Sequence, residues 1–188
     1  MNKFYGHLKT INHHKKLVTV LLFRCGLYKQ GILHDLSKYH PVEFFAGVKY
    51  YQGYRSPINA EKEIKGYSLG WLHHKGKNKH HWEYWLDNAG PNATDAIHGI
   101  VAVEMPKEYV VEMVCDRIAA SINYQKEKYT DASALEYLLN GKDFVFMHPK
   151  TFELTEFLLS IAPYSSTRIY IIVAFKYIVK NWKCKFCN

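Results

Sequence analysis

Apolar residues recur every three or four positions along most of this chain, and Gly or Pro closes the runs, a pattern that specifies helices with one buried face. Leu17, Val18, Leu21, Leu22 and Cys25 follow His13 and His14 and stop at Gly26. A second helix is predicted over 28–38 with Ile32, Leu33 and Leu36 turned inward. Pro41 suits the first turn of a third, which carries Phe44, Phe45, Val48 and Tyr51. Residues 52–57 read as a loop. A fourth helix starts near Asn59, aligns Ile64, Tyr67, Trp71 and His74, and ends in a basic turn at 75–79.

The second half repeats the pattern. Residues 87–94 (DNAGPNAT) form the clearest turn cluster. A long helix begins at Pro106, its inner face marked by Val110, Met113 or Val114, Arg117 or Ile118, and Ser121 or Ile122, with Asp116 in the middle. Leu135, Leu138 and Leu139 make a shorter helix closed by Gly141. Pro149 opens another, with Phe152, Glu156, Phe157 and Ile161, ended by Pro163. Only residues 169–175 carry a hint of strand character. The expected fold is therefore all-α, a helical domain over 1–163 followed by a basic, apolar C-terminal tail at 164–188.

Composition narrows the function. Hydrophobic residues are 48 % and charged residues 22 %, enough to bury a core and too apolar for a disordered chain. A net charge of +8 favours an anionic partner such as a phosphorylated substrate, nucleic acid or lipid headgroups. The four cysteines are too few and scattered for a disulfide scaffold, and Cys184-x-x-Cys187 is a lone pair, a weak zinc signal. No apolar signal segment follows Met1, and the apolar run at 169–175 falls short of the roughly 20 residues that span a bilayer. A cytoplasmic protein with no transmembrane segment is expected.

The histidines carry the chemistry. His13 and His14 lie at the start of one predicted helix, His34-Asp35 near the end of the next, and the pairs His73-His74 and His80-His81 flank one short turn. Imidazole and carboxylate are ligands for Fe, Mn, Co or Zn, and a two-metal hydrolytic site needs about six of them with one carboxylate bridging. Asp35 is the candidate bridge. Asp116 has Ala119 and Ala120 nearby, which leave room for approach, and a buried carboxylate needs a partner.

The order His14, His34-Asp35, paired histidines, Asp116 resembles the HD superfamily of metal-dependent phosphohydrolases. Ile32-Leu33-His34-Asp35-Leu36-Ser37-Lys38 is similar to its apolar-apolar-HD-x-x-Lys segment, and Val114-Cys115-Asp116-Arg117-Ile118 resembles its closing aspartate helix. More closely, GLYKQGILHDLSKYHPVEF, GYSLGWLHHKGKNKHHWEYW and MPKEYVVEMVCDRIAAS are similar to an uncharacterised bacterial and phage family, over about residues 7–160. The resemblance implies an HD-like bundle holding one or two divalent transition metals, with His14, His34, Asp35, His74, His80 and Asp116 as ligands. In the HD superfamily the two extra histidines usually sit on different helices, whereas His74 and His80 here are six residues apart, which leaves open which member of each pair ligates.

The remaining expectations concern substrate and reaction. Lys38 is the residue expected beside the metals to meet a phosphate oxygen, and His73 and His81 are candidates to donate protons. Arg55, Lys75, Lys77 and Lys79 would supply positive potential at the mouth, and Trp71, Trp82, Tyr84 and Trp85 bracket the histidines as stacking candidates or core. The leading expectation is hydrolysis of a small phosphorylated molecule, a nucleotide being one candidate. Two alternatives stand beside it: a di-iron oxygenase on the same scaffold, and a non-catalytic nucleic-acid or partner-binding module, the least favoured.

Overall fold

The computed structural model describes residues 2–161, which form eight α-helices and one two-stranded hairpin. The all-α architecture expected from the periodicity is what folds. Helix α1 (Lys3–Arg24) is longer than its apolar run, starting at the Asn2 cap, whose side chain accepts from the Phe4 N–H at 2.9 Å. It ends at Gly26, where a positive φ of 80° lets the Leu27 N–H return to the Leu22 carbonyl.

Helix α2 (Tyr28–Leu33) stops short of the predicted Lys38, because His34 is extended and Asp35 adopts a left-handed conformation with φ 54°. The chain continues as a 3-10 turn, Leu36–Tyr39. Ile32, Leu33 and Leu36, expected inside, are exposed as a result, and the buried side chains here are His34 and Asp35. Aspartate tolerates this conformation better than most residues, and the break lets two adjacent side chains face the interior together.

Helices α3 (Pro41–Tyr50), α4 (Pro57–Lys65) and α5 (Leu69–Lys77) form a subassembly in which α3 packs on both others. The single fourth helix of the sequence reading is two: Gly66, at φ 80°, closes α4, and the Ser68 hydroxyl accepts from the Trp71 N–H to start α5. Ile64 and Tyr67 consequently lie exposed, as does Phe45 on α3. A hairpin of β1 (Leu86–Asn88) and β2 (Ile100–Ala102) flanks the predicted turn cluster, pairing antiparallel with Asp87 opposite Val101. These strands are too short for alternation to be legible in sequence.

The main core lies between α1, α6 (Lys107–Gln125), α7 (Ser133–Asn140) and α8 (Pro149–Ile161). Val18 and Leu22 of α1 meet Val110, Val114 and Ile118 of α6, and Leu154, Leu158 and Leu159 of α8 close the far side. On α8, Phe157 is exposed and Glu156 only half-buried. No helix among the described residues is long and apolar enough to cross a membrane. The expected tail at 164–188, with its CxxC and the apolar run at 169–175, lies outside the described residues.

Close approach of α3 to α1 depends on Gly47. A Cβ there would sit 2.2 Å from His7 Nε2, and the His7 ring is buried between Phe44 and Tyr51 with centroid separations of 5.4 and 6.0 Å. Any shift of the ring would disturb its contacts with Phe44 and Tyr51. Gly47→Ala is therefore expected to cost about 1–3 kcal/mol by overpacking, read as a lower urea midpoint at unchanged slope. An unchanged midpoint would show that α1 and α3 can part without loss.

Candidate metal centre

Four segments deliver side chains to one buried point: α1 gives His14, the break after α2 gives His34 and Asp35, α5 and the following turn give His74, His80 and His81, and α6 gives Asp116. His14 Nε2 stands 2.9 Å from Asp116 Oδ1 and 3.5 Å from Asp35 Oδ2. His34 Nε2 stands 3.1 Å from Asp35 Oδ2 and 3.5 Å from Asp116 Oδ1. Ligand atoms about 2.1 Å from a common ion would be about 3.0 Å apart when adjacent in an octahedron and about 3.4 Å apart in a tetrahedron. These separations bracket both values.

The other oxygen of Asp35 faces a second group. Its Oδ1 lies 3.4 Å from His74 Nε2 and 3.4 Å from His80 Nε2, and His81 Nε2 is 2.8 Å from His74 Nε2. Asp35 is thus shared by two clusters, the first with His14, His34 and Asp116, the second with His74, His80 and His81. His14 Nε2, His34 Nε2, Asp35 Oδ1 and His80 Nε2 are buried and make no hydrogen bond, and Asp35 Oδ2 has only an ion pair with Lys38. Orphaned polar atoms at this density are rare in folded proteins, because each costs about 1–3 kcal/mol. A cation at each cluster would satisfy all of them, so the residues fit metal ions.

Two carboxylates absent from the sequence reading orient the imidazoles from behind. Glu112 Oε1 accepts from His34 Nδ1 at 2.9 Å and from His80 Nδ1 at 3.1 Å. Glu43 reaches His74 Nδ1 at 2.8 Å and His73 Nδ1 at 2.6 Å. Such bonds fix the tautomer that leaves Nε2 free to ligate. Glu112 is four residues before Asp116 and so shares its face of α6, a spacing that could have revealed it. Glu43 had no comparable signal, since its partners are 30 and 31 residues away.

The charges interlock. Burial pushes the Asp35 carboxyl up, but His34, Lys38 and His74 overcome it and hold it well below its ordinary value. Burial likewise opposes protonation of His34, yet Asp35, Asp116 and Glu112 raise it well above 6.5. Lys38 forms an ion pair with Asp35 while its side chain remains 24 % exposed. His81 is held well below the usual imidazole range by burial and then by His80 and His74.

The site opens into a cavity of about 790 Å³ lined by His14, Lys38, His74, His81 and Asp116 on one side. Arg55 lines it as expected, though its guanidinium is bound in two parallel bonds of 2.5 Å to Glu63. Other expectations fail here. Lys75, Lys77 and Lys79 do not line the cavity, and Lys79 instead lies over the rings of Tyr84 and Tyr109. His73 is also outside the lining: it turns to Glu43 and stacks on His40, 4.6 Å between ring centres. Helical geometry explains the split, since His73 and His74 leave α5 about 100° apart and only one can face the clusters. His7, which the sequence did not single out, does line the cavity, and burial followed by the Lys38 charge lowers its pKa to about 4.

Residues 3–161 match a family model described as a family of unknown function (DUF5662). No curated protein and no solved structure matches the chain.

Proposed function

Since the chain belongs to DUF5662, a family whose description names no chemistry, we propose from its side chains that it is a metal-dependent phosphohydrolase acting on a small phosphorylated molecule, a nucleotide being one candidate. The observation that carries this reading is the set of orphaned, buried nitrogen and oxygen atoms converging on both sides of Asp35. His14, His34, Asp35 and Asp116 would hold one divalent transition metal, and His74, His80 and Asp35, joined by His81, a second. Such ions supply Lewis acidity and lower the pKa of water, the chemistry that phosphoester hydrolysis needs. The resemblance of this ligand order to the HD superfamily supports the same assignment.

The chain's own residues do the rest. Asp35 keeps its two oxygens aimed at different clusters, so it would be the ligand that the two ions share. Glu112 and Glu43 hold the ligating imidazoles in one tautomer. Lys38, on the cavity wall beside Asp35, would donate to an oxygen of the transferred phosphoryl group and neutralise charge that grows there. Of the two expected proton donors, His81 is the one that lies both on the cavity wall and in a cluster. Trp71 and Trp82 line the same cavity and offer flat apolar faces to the organic part of a substrate.

The test is elemental analysis of protein purified without added metal or chelator, alongside phosphate release from a panel of phosphomonoesters and nucleotides. One or two transition-metal ions per chain are expected, with release abolished by chelation and restored by metal. Iron with an oxygen-dependent spectral change and no phosphate release would replace hydrolysis by oxygen chemistry. Absence of metal, even after reconstitution, would reject the centre.

A further inference from the structure

We propose that Arg117 is a specificity residue that binds a second anionic group of the substrate, distinct from the phosphoryl group at the metals. The inference rests on the metal-centre reading above, because it places one end of the substrate at Asp116. Arg117 is the next residue on α6 and leaves the helix about 100° further round, into the same cavity.

The other cations on that wall have partners. Lys38 is paired with Asp35, Arg55 is clamped by Glu63, and Lys62 lies over the Trp71 ring at 5.2 Å. Among the described residues Arg117 makes no hydrogen bond and no ion pair, and its Nε is fully buried. Asp116 and Glu83 lie on the same cavity wall, and neither forms an ion pair with it. Only the Nε is enclosed, and the half-buried fork on the cavity wall is left for a ligand to answer. Its planar fork suits phosphate or carboxylate, two groups of shared chemistry.

The experiment titrates the full-length, metal-loaded protein with propyl phosphate, 1,3-propanediol bisphosphate and 3-(phosphonooxy)propanoate by calorimetry. The parent should bind at least one of the two dianionic-end probes about 10-fold or more tighter than propyl phosphate, in line with a charge-assisted hydrogen bond. Which of them it prefers identifies phosphate or carboxylate as the second group. In Arg117→Gln that ratio should fall to about one at unchanged metal content, and Arg117→Lys should restore part of it. Arg117→Met should lose the preference while keeping the parent's metal content and at least its melting temperature, which guards against misfolding as the cause. A parent that holds metal and binds propyl phosphate without discriminating, or an Arg117→Gln variant that keeps the preference, overturns this assignment alone. A parent with neither metal nor affinity for any probe overturns it together with the centre.

Discussion

Asp35→Ala protein is expected to leave purification with no transition metal and with phosphate release reduced at least about 10³-fold, well beyond the 10–100-fold typical when only an outer partner of a ligand is lost. Asp35 is the one residue common to both clusters: Oδ2 lies 3.1 Å from His34 Nε2, and Oδ1 lies 3.4 Å from His74 Nε2. Under the two-metal proposal, deleting it would remove a ligand from each ion and the residue they share. The same change strips Lys38 of its ion-pair partner. Breaking a buried pair costs up to about 3–5 kcal/mol, and the partial exposure of Lys38 puts this one toward the lower end. Elemental analysis and a thermal melt separate the two effects. Asp35→Asn serves as the companion variant, since it preserves shape and tolerates φ 54° while removing charge. An alanine variant with parental metal and turnover would end the two-cluster scheme.

Glu112→Ala should produce the second largest effect, although this residue faces no substrate and need not touch an ion. Its Oε1 accepts from His34 and His80, one imidazole from each cluster, so a single truncation frees both rings. Two buried Nδ1–H groups would lose their acceptor, at about 1–3 kcal/mol each. The expected result is a melting temperature lowered by several degrees and metal affinity weakened about 10–100-fold at each site. Glu112→Gln retains an oxygen that can accept at least one of the bonds, and should recover much of the stability but less of the affinity because it lacks the charge. Competition with a chelator of known strength measures the second quantity. Equal affinity in the alanine variant and the parent would show that the rings are oriented by packing alone.

The sequence made the candidate ligands easier to find than the path of the chain that carries them. His14, His34, Asp35 and Asp116 stand out through their joint order along the chain rather than singly, and the structure does bring these four together. Periodicity also revealed the core helix α6. It failed at residues 34–36, where tertiary demand for two adjacent inward side chains overrides the helical period and exposes Ile32, Leu33 and Leu36. It also failed in the basic turn: lysine spacing says nothing of which way a side chain faces, and Lys75, Lys77 and Lys79 stay off the cavity wall. Of the two glutamates behind the imidazoles, Glu112 had only its spacing from Asp116 to mark it, and Glu43 had no local signal at all, burial alone setting it apart from an ordinary solvated glutamate.

Helix α6 carries Val110, Val114 and Ile118 into the core and Glu112 and Asp116 to the clusters, so one rigid rod serves both. Successive residues are about 100° apart around that rod, and its two roles therefore cannot drift independently. A core substitution that rolls α6 by even a small angle would move Asp116 Oδ1 relative to His14 and His34, which α1 and the break after α2 hold separately. Variation in this family should then be graded by geometry rather than by distance from the chemistry: a volume change at Val114 is a change of focal length for the centre, while a far larger change on the outer face of α8 leaves it in focus.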